Sequence, residues 1–383
     1  MRKQKRRGHN EGSIFQRSDG RWSASLTLEG GKRKTYYGHT RKEVADKLRV
    51  AQHEQQQGTL ITGPQQTLGS FLEEWLAMKQ GVLKGGTLQN VRYNIENHIL
   101  PALGHIRLHK LSPEHIQKFY GDLGKTLSAN TIHKNIHRIL HNALALAVKW
   151  KKIATNPCDV VEPPKVSHQE MQVLNSEQVQ RLIGASQSHW MVATLIPLAV
   201  TTGMRHGEIL ALAWNDVDVE TRNIKITKSL SWHKDETGKF HYFIESPKTK
   251  SSIRTIPLPD MLEPLLSAHR IEQVKRRLAA PSWPHPELVF PNSVGNYFHH
   301  HNLANTFNAV LEEAGLPHIR FHDLRHTAAT QLLSMGVHPK VVAEWLGHSS
   351  TKMTMDIYSH VLPSMLDDAR DILNEMYSKK AEG

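Results

Sequence analysis

Apolar positions change their period along this chain, and each change marks a boundary. Over residues 12–38 the period is two. Gly12–Arg17, Trp22–Leu28 and Lys32–Gly38 read as short strands, separated by the turn formers Ser18-Asp19-Gly20 and Glu29-Gly30-Gly31. Thr40-x-x-Glu43 has the form of a capping box and opens a helix to about Gln57. Residues 58–66 carry two glycines, a proline and no period, which reads as a linker. From Thr67 to about Lys152 the spacing is helical. Leu72, Trp75 and Leu76 mark one helix; Leu88, Val91, Ile95 and Ile99 mark a second, expected to stop at Pro101. Ser112-Pro113 supplies a cap and a first-turn proline for a third. Ser128 caps a fourth, with Ile132, Ile136, Leu140, Leu144 and Ala147 on one face.

Pro157, Pro163 and Pro164 interrupt regular structure across Thr155–Leu174. Beyond them the pattern is mixed. Helices are expected near Glu177–Ser186, His189–Thr201, Met204–Ala213, Asp260–Leu278, Asn302–Ala314, Asp323–Met335 and Pro339–Leu346. Strands are expected at Asn223–Leu230, His241–Glu245 and Ser252–Leu258. Leu366, Ala369, Leu373 and Met376 form an apolar stripe on a tail helix over Ser364–Tyr377. The fold class is therefore multidomain α+β. A small three-stranded sheet with one helix (1–57) is followed by a linker (58–66), a four-helix module (67–155) and a second linker (156–174). A mixed, mainly α domain with a small antiparallel sheet completes the chain (175–383).

Charge narrows the class of partner. The net charge is +12, and residues 1–60 hold 14 Lys/Arg against 6 Asp/Glu, which points to a polyanion, above all nucleic acid. Arg17, Arg21, Lys32, Arg33 and Lys34 would give the small sheet a basic face for a DNA groove. Lys134 and Arg138, on the last helix of the four, suggest a further contact. Cys158 is the only cysteine, so no internal disulfide can form and a reducing compartment fits. The basic N-terminus lacks the apolar segment of a signal peptide. The apolar run Trp190–Val200 falls short of the roughly 20 residues that span a bilayer. A soluble cytoplasmic protein is expected.

Candidate chemistry gathers in the last domain. Thr201-Thr-Gly-Met-Arg-His-Gly-Glu208 places Arg205 and Glu208 one turn apart. A surface ion pair would use the same residues, but the apolar Ile209, Leu210 and Leu212 beyond favour a Glu208 that orients Arg205. His322 and Arg325 stand at a helix start, where backbone N–H groups favour an anion. His348 and Tyr358 follow, and Lys248 lies between two expected strands, as at a hairpin tip. Two arginines to hold non-bridging oxygens, histidines and a lysine to move protons, and a phenol to attack suit phosphodiester chemistry. His322 and His326 have the spacing of a helical zinc pair. No glutamate follows the first, however, and Arg325 would put a cation at the metal. His299-His300-His301 reads as a chance cluster in a chain with 26 histidines, so no metal is expected.

In order and spacing these residues resemble the tyrosine recombinase (phage integrase) family over about residues 170–365. Arg205 matches the first arginine box, Lys248 the β-hairpin lysine and His322-x-x-Arg325 the second box. His348, in Leu-Gly-His-Ser, and Tyr358 match the remaining two motifs, so all six positions are filled. Residues 67–155 are similar to that family's core-binding domain and residues 10–57 to the arm-binding domain of mobile-element integrases. The resemblance implies site-specific cutting and rejoining of DNA through a 3′-phosphotyrosine, with no cofactor, to integrate or excise a mobile element. Its implied partners are double-stranded attachment sites of core and arm type, three further copies in a homotetramer, a directionality factor and a host DNA-bending protein. Relaxation of DNA in the manner of a type IB topoisomerase, and regulation by DNA binding without catalysis, are the alternatives.

Overall fold

A computed structural model describes residues 12–28, 31, 33–56, 66–83, 85–166, 172–234, 239–246 and 252–378. The chain forms two compact units, Met1–His168 and Gln169–Gly383. The first unit contains two separate hydrophobic cores.

The smaller core lies between an antiparallel sheet and one helix. Strands β1 (Ser13–Gln16), β2 (Trp22–Thr27) and β3 (Arg33–Gly38) pair in sequence order, and α1 (Arg41–Gln56) covers one face. Ala24 and Leu26 meet Val44, Leu48 and Ala51 there. Thr40 caps α1 by accepting from the Glu43 N–H at 3.2 Å, while the Glu43 carboxylate accepts from the His39 N–H at 3.0 Å. Strand alternation corrects the expected basic face: Leu26 pairs with Lys34 on the helix side, so Arg33 points to the opposite side.

The second core belongs to a helical module. Helix α2 (Leu68–Lys79) is capped by Thr67. Next, α3 (Gly85–Asn94) passes through a widened turn at Ile95–Ile99 into α4 (Leu100–Leu103). Then come α5 (Pro113–Leu123), α6 (Ala129–Thr131), a second widened turn at Ile132–His137 and α7 (Arg138–Lys149). Pro101 does not stop its helix, contrary to expectation. The widened turn just before it bonds Leu100 N–H back to Ile95 O, shifting the ladder where the proline lacks a donor. Ile132, Ile136, Leu140, Leu144 and Ala147 are all fully buried, facing Phe71, Ile99, Ile116 and Tyr120.

The second unit is built around α9 (Val192–Thr202), buried along almost its whole length beside α8 (Ser176–Ser186). Helix α10 (His206–Leu210) follows. Strands β4 (Val217–Asp218), β5 (Asn223–Ile226) and β8 (Arg254–Pro257) form one antiparallel sheet. Strands β6 (Ser229–Lys234) and β7 (Phe240–Glu245) form another. The expected strand Asn223–Leu230 is thus divided between two sheets. Helices α11 (Leu262–Ala279), α12 (His300–Glu313), α13 (Asp323–Ser334) and α14 (Pro339–Leu346) precede α15 (Thr351–Ser378). The expected tail helix is the far end of α15, continuous with the segment that carries Tyr358. Among the described residues no helix is long and apolar enough to cross a membrane.

Candidate active site

Two left-handed turns bring the arginine boxes together. Gly203 ends α9 at φ 62°, and Gly347 ends α14 at φ 68°, a region glycine enters without a Cβ clash. A Cβ on Gly203 would overlap Leu346. Each glycine offers its carbonyl to an arginine from another segment. Arg325 Nη1 donates to Gly203 O at 2.8 Å, and Arg205 Nη2 donates to Gly347 O at 3.0 Å. Neither arginine is held by its own box alone.

Glu208 supplies the counter-charge. It is 3 % exposed and accepts from Arg205 Nη1 at 2.8 Å and from the Arg205 backbone N–H at 3.0 Å. Its carboxylate also accepts from Arg254 at 3.2 and 3.0 Å, and Arg254 Nε donates to Trp345 O at 2.7 Å. Burial works against the charged carboxylate, but the bonds and charge of Arg254, then of Arg205, outweigh it and hold its pKa below the usual 4.5. Arg254 was not singled out from the sequence. Its only local signal is a basic residue inside a period-two stretch, and its partners come from distant segments.

Arg325 is 4 % exposed, and its Nη2 has no hydrogen-bond partner among the described residues. Burial, then the charges of Arg205 and Arg254, push its pKa down to about 9, which leaves it cationic at neutral pH. A buried guanidinium N–H without an acceptor is costly, and an anion would satisfy it. His348 is 8 % exposed and accompanies the cluster. Burial and the charges of Arg325 and Arg205 push its imidazole down to about 3, so it is neutral. His322, although open to solvent, also lies below its ordinary 6.5, through lost hydration and then the charges of His326 and Arg325. The start of α13 already holds an anion: the Asp323 carboxylate accepts from Arg320 N–H at 2.8 Å.

Tyr358 is half-buried on α15, packed against the cluster of Ala329, Leu333, Val342, Leu346 and Ile357. Its hydroxyl makes no hydrogen bond to Arg205 or Arg325 in this conformation. The structure therefore assembles Arg205, Arg325, His348 and His322, with Glu208 behind them, and leaves the phenol disengaged. Lys248 lies outside the described residues. The described strands on either side of it, β7 and β8, belong to different sheets. A cavity of about 610 Å³ opens beside Arg205, between α10 and the β6–β7 pair, with Trp232, Tyr242 and His300 among its walls. Among the described residues no three His, Cys, Asp or Glu side chains gather as metal ligands.

The residues proposed for DNA contact lie in the first unit. Arg17 sits 5.3 Å over the Tyr37 ring, and Arg21 is paired with Asp19 at 2.8 Å. Arg33 is exposed, Lys34 sits 5.7 Å over the Tyr36 ring, and Lys32 lies outside the described residues. Lys134 and Arg138 are exposed one turn apart.

A cluster of arginines with one buried, unpartnered N–H on a mainly helical unit is suited to chemistry on a phosphodiester. Residues 172–365 match the model of the phage integrase family, and residues 67–124 match the phage integrase N-terminal SAM-like domain. The chain belongs to the phage integrase family. Its activity is that of a tyrosine recombinase, which breaks and rejoins DNA strands. It is 31 % identical over 367 residues to a tyrosine recombinase XerC-like protein of Caldanaerobacter subterraneus subsp. tengcongensis, covering 91 % of this chain and 94 % of that one. It is 27 % identical to the ICEBs1 integrase of Bacillus subtilis, over 88 % and 90 % of the two chains. Among solved structures, the Tn1549 transposon integrase in complex with a circular intermediate DNA shares the fold. The TM-score is 0.66 and the identity 20 %, over 79 % of this chain and 99 % of that one. A lambda integrase tetramer bound to a Holliday junction matches with a TM-score of 0.57 and 20 % identity, over 90 % and 94 % of the two chains.

Proposed function

We propose that this recombinase cuts DNA at specific sites by attack of the Tyr358 oxygen on phosphorus. The attack forms a 3′-phosphotyrosine and releases a 5′-hydroxyl, which later reverses the step on a new partner strand. Arg205 and Arg325 hold the non-bridging oxygens and stabilise the charge of the pentacoordinate transition state. His348 donates a hydrogen bond to the same phosphate, and His322 moves a proton to or from Tyr358. Lys248 protonates the leaving 5′-oxygen. Glu208 and Arg254 set the position of Arg205. Bond energy is conserved in the phosphotyrosine, so the cycle consumes no nucleotide.

The observation that carries this reading is the unpartnered, buried Nη2 of Arg325, set among two more arginines: an anion site formed before any anion arrives. The disengaged phenol fits a nucleophile that reaches this site only after α15 moves, or that is lent by a neighbouring copy. The lambda tetramer supports a homotetramer here. Leu373 and Met376, exposed at 52 % and 60 % near the end of α15, offer it an apolar docking stripe. Unchanged synapsis after deletion of the residues beyond Pro363 would remove that role for the tail.

Residues 1–57 serve as an arm-type DNA-binding domain, 67–155 as the core-binding domain and 175–383 as the catalytic domain. Arg17, Arg21, Lys32 and Arg33 contact arm-type DNA, and Lys134 and Arg138 contact core-type DNA. The integrase names of the relatives support integration or excision of a mobile element; action at the bacterial nucleoid, with a directionality factor and a host DNA-bending protein, belongs to the same proposal. The test is covalent trapping on duplexes selected from random sequence by binding and carrying a nick at scanned positions. Wild type should form an adduct and Tyr358→Phe none, at unchanged DNA affinity; adduct in the Phe variant would disprove the assignment.

A further inference from the structure

Thr354 is fully buried, and its Oγ1 lies 2.7 Å from Nδ1 of His348. The direction of this bond follows from proton accounting. A neutral imidazole carries one N–H. If that N–H were on Nδ1 and donated to the threonine, the threonine's own hydroxyl proton would be buried without an acceptor. Oγ1 has no other hydrogen-bond partner among the described residues. Leaving such a donor unpaired is unfavourable. With the hydroxyl donating to Nδ1, the buried hydroxyl proton is paired and the ring proton resides on Nε2. That nitrogen makes no hydrogen bond to any described residue. Burial of His348, and then the charges of Arg325 and Arg205 around it, keep the ring neutral, as this arrangement requires.

Thr354 also precedes Tyr358 by one helical turn on α15, so the two side chains share a face of that helix. We infer that Thr354 is a positioning residue: its hydroxyl fixes His348 as the Nε2–H tautomer, aiming that donor at the scissile phosphate, and fastens the nucleophile's helix to the phosphate-binding histidine. The inference rests on the phosphotyrosine reading above and adds to it a residue and a proton location. The threonine touches neither substrate nor reacting atoms; it acts through the imidazole.

The experiment compares full-length wild type with Thr354→Val, which keeps the shape and removes the hydroxyl, and Thr354→Ser, which keeps the hydroxyl. Single-turnover adduct formation on the nicked duplex should fall about 10–100-fold in the valine variant, the range seen when metal-bound histidines lose the partner that orients them. Serine should restore most of the rate, and DNA affinity should stay constant throughout. Nitrogen-15 NMR of the histidine rings, with the His348 signal assigned by its loss in His348→Gln, should show protonated Nε2 and bare Nδ1 in wild type and serine. In valine the signal should shift toward a mixture of tautomers. A valine variant that cuts at the wild-type rate, or one that slows with no change at His348, would overturn the inference. So would a serine variant as slow as valine, which would give the threonine a packing role alone. Failure of wild type itself to form adduct would instead bring down the phosphotyrosine reading on which the inference rests.

Discussion

Replacing Glu208 with glutamine tests the electrostatic frame of the site. The carboxylate accepts four hydrogen bonds, at 2.8, 3.0, 3.2 and 3.0 Å, from two arginines. Glutamine keeps one oxygen and turns an N–H₂ group toward donors, so the bonds at that end become repulsive contacts. Its neutrality also leaves Arg205 and Arg254 beside Arg325 without the buried negative charge. Removing one partner of a buried ion pair costs about 3–5 kcal/mol. For a unit of this size each kcal/mol is worth about 2–4 °C, so the melting transition of residues 169–383 should drop by about 6–20 °C. Differential scanning calorimetry at pH 7 is the assay.

The pH dependence adds a second arm. The folded pKa of Glu208 is depressed, so its stabilisation is fully present above 4.5 and is lost as pH falls through the folded value. The gap between wild type and Glu208→Gln should therefore narrow below that pH. A variant melting within about 2 °C of wild type at pH 7 would refute the reasoning, as would a gap independent of pH.

Two further outcomes follow from the same geometry. Gly203→Ala places a Cβ at φ 62° and against Leu346, so urea unfolding should show a loss beyond the roughly 1–2 kcal/mol of left-handed strain alone; equal stability would contradict the packing. His348, with its pKa pushed to about 3, should stay neutral from pH 8 to pH 5 in an NMR titration of the free protein. Because its folded pKa is lowered, the stability it contributes is complete above 6.5 and fades as pH falls below that, and a protonation midpoint near 6 would refute the burial argument.

What could be read in the sequence was whatever neighbours in the chain decide. The helices of the second unit, the Thr40–Glu43 cap, the buried stripe from Ile132 to Ala147 and the pairing of Glu208 with Arg205 are all local. They follow from period, cap chemistry and one-turn spacing. What could not be read depends on partners far away in the chain. Arg254 is an alternating strand residue until Glu208 and Trp345 O meet it. Thr354 is one polar residue on a helix until His348 reaches it. The division of Asn223–Leu230 between two sheets is fixed by pairing with β8 and β7, which no local period reports. Pro101 misled because the widened turn that accommodates it leaves no trace in spacing. Lys34 misled because neighbouring basic residues on a strand face opposite ways.

The two glycine carbonyls bind the molecule into a reciprocal arrangement. The N-terminal half of the second unit owns the anchor for Arg325, and the C-terminal half owns one anchor for Arg205. Divided anywhere between β8 and α13, the protein would yield two pieces, each bearing an arginine whose support had left with the other. Neither piece would keep the arginine cluster proposed to hold the phosphate, and the cluster would return only when the pieces found each other again. The site is thus a property of closure: it exists when the second unit is complete and not before.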